Sequence, residues 1–240
     1  MPQRLGQHFL IKGSVLDRIA AAACPLREPL VIEIGPGRGA LTEKLLRRAD
    51  RVVAIELDPF LAALLRSRSS AEVVEADVLV TDLARWGPAV IAGNLPYYIT
   101  SPIVERILRA PFIRAVLLVQ KEVADRLAAA PGSRDYGFLT VQTAVFAQAR
   151  KLFEVKPSAF RPPPKVDSAV ALLTPRPRPV GDPEAFLRFA SLCFRHKRKT
   201  IRNNLAEAYG KDRIDAWPEA SRRAEQLSLE ELIGMYSRTR

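Results

Sequence analysis

Cysteine is scarce in this chain, with Cys24 and Cys193 the only two among 240 residues. Two isolated cysteines exclude a disulfide framework and cannot by themselves build a zinc site. Both stand among apolar residues and are expected to be buried thiols. No apolar run approaches the ~18–20 residues that span a bilayer, and the first residues hold no stretch of signal-peptide length. We therefore expect a cytoplasmic protein with no membrane contact and no metal.

Acidic residues are also few, since 26 Asp and Glu stand against 37 Lys and Arg and leave a net charge of +11. This imbalance favours a polyanionic partner such as nucleic acid. A solvated helix face is the ordinary explanation of a charge run. A cluster as tight as residues 195–202, in an already basic chain, instead indicates phosphate contact. Its cations are Arg195, Lys197, Arg198, Lys199 and Arg202.

Strand and helix patterns alternate through residues 30–120. Such alternation predicts an α/β fold with a mostly parallel, doubly wound sheet. Asp58-Pro59 opens one of the helices, with Asp at the cap and Pro at the first helical position. The strands are predicted at 30–34, 51–56, 72–76, 89–93 and 115–119.

The pattern changes after residue 150. Residues 151–155 and 166–173 are β-rich and close in sequence, which predicts an antiparallel pair at the sheet edge. Residues 174–181 are proline-rich and predict a linker. From Asp182 the pattern is helical, and Ser228 to Glu231 form a capping box for the last helix.

Two domains follow from these patterns. Residues 1–174 are expected to form a Rossmann-like sheet domain. Residues 182–240 are expected to form a small all-α domain that carries the basic run and contacts nucleic acid.

A glycine motif, G-x-G-x-G, joins the first strand to the first helix of the alternating region. Gly35, Gly37 and Gly39 would let the backbone approach a ligand closely. The spacing is one residue tighter than the dinucleotide fingerprint, and no Gly-Lys-Ser/Thr phosphate loop follows. Alone, the motif is as well explained by a tight strand-to-helix turn.

Two acids at strand ends strengthen the motif. Glu56 lies about 20 residues on, where an acid can accept from both ribose hydroxyls. Asp77 ends the third strand, placed to accept from an adenine amine, and Val78 could flank the adenine. Acids at such positions can also be helix N-caps, which is our interpretation of Asp58. With the glycine loop, Glu56 and Asp77 favour adenosine without phosphate, as in S-adenosylmethionine and its product S-adenosylhomocysteine.

Asn94-Leu95-Pro96-Tyr97 follows the fourth strand, at the edge where open α/β sheets bind ligands. The tetrad alone resembles an ordinary turn. Beside a methyl donor, the Asn94 side chain and the Pro96 carbonyl could accept both N–H bonds of an adenine amine. The nitrogen lone pair would then be free to attack the methyl group. Tyr97 and Phe160 could sandwich the base.

The whole pattern closely resembles the ribosomal RNA adenine dimethyltransferase family, in its bacterial small-subunit branch. The resemblance covers nearly the full length. Its blocks are Gly6–Leu10, Glu33–Thr42, Glu56–Asp58, Glu75–Asp77, Asn94–Tyr97, Gln120–Ala124, Tyr136–Val141, Phe160–Ser168 and Arg198–Leu205.

The resemblance implies N6,N6-dimethylation of two adjacent adenosines in the 3′-terminal hairpin of 16S ribosomal RNA, within the immature small subunit. It implies cofactor contacts at His8, Leu10, Gly35, Glu56, Asp77 and Asn94. Lys121 and the basic segment would dock the subunit, and we expect a monomer. The chain departs from the family in having His8 where Asn is frequent and in a short helical domain.

Two alternatives remain open at this point. A large-subunit (23S) ribosomal RNA methyltransferase of the macrolide-resistance type would share the fold, the cofactor and the Asn-x-Pro-aromatic site. A non-catalytic ribosome-assembly factor could use the same fold, although the intact glycine loop with Glu56, Asp77 and Asn94 argues against it.

Overall fold

The computed structural model describes residues 8–239, which form two compact units. Unit 1 comprises the residues up to Ala124 together with Ala149–Pro175, and unit 2 comprises Asp125–Gln148 together with the residues from Arg176 on. Within residues 8–239, no helix combines the length and apolarity needed to cross a bilayer.

Nine strands and ten α-helices are found in the described residues. The strands are β1 Phe9–Leu10, β2 Glu28–Ile34, β3 Ala49–Glu56, β4 Glu72–Glu75, β5 Ala89–Asn94, β6 Phe112–Gln120, β7 Ala147–Val155, β8 Phe160–Arg161 and β9 Ser168–Pro175. The helices are α1 Gly13–Ala23, α2 Ala40–Leu46, α3 Pro59–Arg66, α4 Thr100–Arg109, α5 Lys121–Leu127, α6 Phe138–Phe146, α7 Pro183–Cys193, α8 Ile201–Tyr209, α9 Lys211–Asp215 and α10 Leu229–Ser237.

The main sheet has seven strands in the order β4-β3-β2-β5-β6-β9-β7. The five strands from β4 to β6 are parallel, and β9 runs antiparallel to β6. The inner strands β2, β3, β5 and β6 are almost continuously apolar, because helices cover both faces of a parallel sheet. The predicted α/β class, the five parallel strands and the antiparallel edge are confirmed.

The register of the strands places three polar residues on one face of the sheet. Glu33 pairs with Ala54 of β3 and with Ala92 of β5. Side chains alternate between faces, so the residues two positions further on, Glu56 and Asn94, point to the same side as Glu33. The side chains of Glu33, Glu56 and Asn94 therefore lie on one face of the sheet at its carboxyl edge.

A second, two-stranded sheet joins β1 to β8, with Phe9 opposite Arg161 and Leu10 opposite Phe160. The sequence patterns did not predict it, because two residues per strand are too few to show alternation. It fastens the segment before α1 to the loop before β9.

Unit 2 is helical and has its own aromatic core. The rings of Phe186 and Tyr236 lie 5.7 Å apart, edge to face. The helical C-terminal region is as predicted, but the unit also includes Asp125–Gln148, which we had assigned to the sheet domain. Helix α6 in this segment is buried around most of its surface, as expected of a helix inside a core. Such a helix gives no amphipathic signal to link it with distant residues.

Candidate active site

A cavity of about 560 Å³ opens at the carboxyl edge of β2, β3 and β5 in unit 1. Its size suits a nucleoside-sized ligand. The edge is where the topology of an open α/β sheet places ligands. Its wall brings together most of the predicted site residues: His8, Leu10, Gly35, Gly37, Glu56, Asp77, Val78, Asn94, Pro96 and Tyr97.

The glycine loop turns sharply beneath the cavity. Gly35, Gly37 and Gly39 have φ values of 66°, 58° and 84°, a region that side chains disfavour. At Gly39 a Cβ atom would also lie 2.6 Å from Leu65 Cδ1. The three glycines are thus required by the turn itself, and the turn brings the loop backbone to the cavity wall.

Glu56 holds the ends of two strands together. Its Oε2 accepts from the Gly37 N–H at 2.9 Å, and its Oε1 accepts from the Asp58 N–H at 2.9 Å. Each carboxylate oxygen retains a further lone pair for a ligand hydroxyl. Asp58 itself caps α3 by accepting from the N–H groups of Phe60 and Leu61, so its interpretation as an N-cap is confirmed.

Asp77 is fixed by the loop after β4. Its Oδ1 accepts from the Leu79 N–H at 2.8 Å, and its backbone carbonyl accepts from the Thr81 hydroxyl at 2.7 Å. Val78 is buried beside it and lines the same wall. The carboxylate is therefore oriented by its own loop before any ligand binds.

Asn94 has its amide orientation set by a long-range contact. Its Nδ2 donates to the His8 carbonyl at 2.8 Å. With the nitrogen committed as a donor, the side-chain oxygen is the acceptor that Asn94 can offer in the cavity. The His8 ring is engaged elsewhere, because its Nδ1 lies 2.9 Å from the Pro162 carbonyl oxygen.

The turn after Asn94 positions Tyr97. The Tyr97 hydroxyl lies 2.5 Å from Ser168 Oγ, and Ser168 is fully buried. Burial raises the pKa of Tyr97, and the hydrogen bond to Ser168 offsets part of that rise. The Pro96 carbonyl accepts from the Ile99 N–H at 3.2 Å and from the Thr100 hydroxyl at 3.1 Å. Both of its lone pairs are therefore already used within the turn.

Phe160 lies in the core, where its residue is 1% exposed, and it is not part of the cavity wall. Pairing of β8 with β1 turns its ring inward, toward the cluster that contains Leu10. Stacking of Phe160 on a base stays a prediction and would require the ring to leave this core. Arg161, the next residue, lines the cavity instead.

Glu33 is a functional candidate to which the sequence patterns assign no role. It lines the cavity at 1% exposure. Burial, and to a lesser degree the nearby Glu56, raise its pKa to about 8, and the Thr42 hydroxyl offsets part of the rise. The sequence does hold an indication of this role, because Glu33 is an acid inside the apolar run of β2. Burying a charged side chain there costs folding free energy, so its presence suggests a function.

The predicted RNA-binding cations divide into paired and unpaired groups. In unit 1, Lys121 lies 3.3 Å from Glu154. In unit 2, Arg195 pairs with Glu207 at 3.1 Å and Arg202 with Asp215 at 2.6 Å, while Lys197 donates to the Arg134 carbonyl at 3.1 Å. Arg198 and Lys199 are exposed and form no ion pair with any described residue.

No group of three His, Cys, Asp or Glu side chains in residues 8–239 is arranged to hold a metal ion. Cys24 and Cys193 are buried free thiols, as expected. Gly6 and Gln7, part of the first block of the resemblance, lie outside the described residues.

Comparisons with known proteins identify the family of the chain. Residues 2–238 match the family described as Ribosomal RNA adenine dimethylase. A Ribosomal RNA small subunit methyltransferase A from Acidobacterium capsulatum is 46% identical over 97% of this chain and 89% of its own length.

Two solved structures have the same fold over almost the whole chain. A dimethyladenosine transferase from Plasmodium falciparum superposes with a TM-score of 0.81 at 27% identity, covering 97% of this chain and 98% of its own. The 23S rRNA methyltransferase ErmE superposes with a TM-score of 0.69 at 31% identity, covering 94% of this chain and 98% of its own. The extent of these matches establishes that the chain belongs to the ribosomal RNA adenine dimethylase family.

Proposed function

We propose that this protein uses S-adenosylmethionine to dimethylate N6 of two adjacent adenosines in the 3′-terminal hairpin of 16S ribosomal RNA, in the immature small subunit. The observation that carries the proposal is the oriented Asn94 amide on the same cavity wall as Glu56 and Asp77. The expected location is the cytoplasm, and the expected state is a monomer.

The wall chemistry fits the proposed cofactor. Glu56 has lone pairs for the ribose hydroxyls, and Asp77 has a carboxylate for the adenine amine. Gly35 and Gly37 bring backbone to the same wall, and His8 and Leu10 close it from the β1 side. When bound, S-adenosylmethionine supplies an electrophilic methyl group on a sulfonium, and the protein has only to hold donor and acceptor in line.

Asn94 is proposed to activate the target base. An adenine N6 is a poor nucleophile because its lone pair is delocalised into the ring. An N6–H bond to the Asn94 oxygen would favour the pyramidal nitrogen that attacks. The Tyr97 ring, whose hydroxyl is hydrogen-bonded to Ser168, would stack on the base and exclude water.

Pro96 was expected to supply the second acceptor through its carbonyl. That carbonyl can do so only by giving up or sharing its bonds with Ile99 and Thr100. After the first transfer the amine keeps a single N–H, so one well-oriented acceptor is enough for the second. Asn94 is therefore the residue proposed to act in both rounds.

A large-subunit substrate is the second candidate, because the ErmE structure covers 94% of this chain. Its 31% identity is below the 46% shared with the small-subunit relative. The identities therefore favour the small subunit.

The test is transfer of labelled methyl groups to unmethylated small subunits and, in a parallel reaction, to unmethylated large subunits, followed by nucleoside analysis. We expect dimethyladenosine from the 3′ hairpin. Asn94→Ala should lower the transfer rate by at least ~100-fold, the usual cost of one oriented catalytic hydrogen bond. Methyl groups recovered only from the large subunit, or a variant as fast as wild type, would contradict the proposal.

A further inference from the structure

Two arginines lie at the opening of the cavity without an acidic partner. Arg38 belongs to the glycine loop and Arg161 to β8, and both line the cavity while remaining exposed. Neither guanidinium group forms an ion pair with any described residue. The acids Glu33 and Glu56 line the same cavity but are buried. The cavity is therefore acidic in its interior and basic at its opening.

Phe9 brings the two arginines to one side of that opening. The guanidinium carbon of Arg38 lies 4.6 Å from the centroid of the Phe9 ring. On the other strand of the two-stranded sheet, Arg161 is directly opposite Phe9, and such cross-strand partners project from the same face. Two guanidinium groups that share one side of an opening and have no carboxylate among the described residues form a site for an anion.

Exposed apolar side chains border the same opening. Ile11, Leu57 and Tyr98 line the cavity, and each is half-exposed. Exposed apolar groups mark interaction surfaces. Surfaces that bind unpaired nucleotides combine cations for the phosphates with aromatic rings on which the bases stack. Free arginines beside the exposed Tyr98 ring therefore favour single-stranded nucleic acid as the partner of this surface.

We propose that Arg38 and Arg161 bind the phosphates on either side of the target adenosine, and that the Tyr98 ring stacks on a neighbouring unpaired base. The inference rests on the proposed function, because an adenine that reaches Asn94 must leave its stack and enter the cavity. Its phosphates stay at the opening, since burying their charge is costly. The RNA backbone thus passes the place where the free arginines lie.

The experiment compares two inhibitors of methyl transfer to small subunits. One is adenosine, and the other is adenosine 3′,5′-bisphosphate, which carries both flanking phosphates. Saturating S-adenosylmethionine keeps both compounds out of the cofactor site. In the unmodified protein the bisphosphate should inhibit at a concentration lower by on the order of tenfold, because it gains charge-assisted hydrogen bonds to exposed arginines. Equal inhibition by the two compounds, or none by either, would overturn the inference.

Variants assign the effect to these residues. Arg38→Ala with Arg161→Ala should remove the advantage of the bisphosphate and raise the KM for small subunits by on the order of tenfold. The control is Arg47→Ala with Arg68→Ala, which removes two exposed arginines at the far ends of α2 and α3 and should retain the advantage. Tyr98→Ala should raise the same KM by about tenfold, and Tyr98→Phe, which keeps the ring, should restore it. If the control loses the advantage as fully as the first pair, net charge is the cause and the inference is wrong.

Calorimetry with S-adenosylhomocysteine separates RNA recognition from cofactor binding. The variant that lacks Arg38 and Arg161 should bind this compound as tightly as the unmodified protein does. Weaker binding would mean that the arginines serve the cofactor carboxylate, which would overturn the inference and leave the proposed function standing. If the unmodified protein transfers no methyl groups to either ribosomal subunit, the proposed function fails and the inference fails with it.

Discussion

At the scale of single residues, Glu33 couples the stability of the fold to pH. Its pKa rises from an ordinary 4.5 to about 8 on folding, mainly because of burial. Between those values the unfolded chain loses this proton while the folded chain keeps it. Stability contributed by the protonated form is therefore complete below pH 4.5 and lost progressively as the pH rises to 8. The cavity carboxyl thus destabilises the protein at the pH where the enzyme is proposed to work.

Glu33→Gln should remove that pH dependence, because the amide stays neutral throughout. Relative to wild type, the free energy of unfolding of the variant should rise between pH 5 and pH 8 by on the order of 3 kcal/mol. Urea denaturation of both proteins at the two pH values, without ligand, measures this change. An equal difference at pH 5 and pH 8 would mean that Glu33 is already ionised in the folded protein.

At the scale of the elements, the strands that could be predicted from the sequence were the long ones with a regular hydrophobic pattern. Strands β2, β3, β5 and β6 were evident because buried parallel strands are apolar runs between turns. Strands β1 and β8 were not, since two residues carry no period. Because these strands were not predicted, two features of the site were not predicted either. Pairing of β8 with β1 buries Phe160, and the His8 carbonyl orients the Asn94 amide. Both contacts join distant parts of the chain.

A substitution at Gly93 tests how closely strands β5 and β2 must approach each other at the site. A Cβ atom there would lie 2.4 Å from the Ile34 carbonyl oxygen, a backbone atom that cannot move aside alone. Gly93→Ala should therefore destabilise the protein by roughly 3 kcal/mol or more, comparable with severe overpacking of a core. Its matched control is Gly234→Ala in α10, where a Cβ meets nothing within 4 Å. That change should stabilise by about 0.5–1 kcal/mol. Equal urea midpoints for the two variants would contradict the close approach.

At the scale of the whole molecule, the net charge of +11 is expected to favour RNA as a partner, and the unpaired cations are expected to decide where the contact is made. Paired arginines such as Arg195 and Arg202 must exchange a carboxylate for a phosphate, so their net gain is small. Arg198 and Lys199 are exposed and form no ion pair with any described residue. Within the basic run, these two cations can bind phosphate and release counterions from the RNA without first breaking an ion pair.

Arg198→Ala with Lys199→Ala should therefore flatten the salt dependence of binding to the small-subunit hairpin. Two lost phosphate contacts lower the slope of log K against log salt by about 1.5. The control is Arg47→Ala with Arg68→Ala, which removes the same charge from exposed positions at the far ends of α2 and α3. Those helices begin at the cavity edge of the sheet and end at the opposite edge. If both double variants reduce the slope equally, net charge alone governs binding; if only the first does, residues 198 and 199 form a local phosphate-binding site.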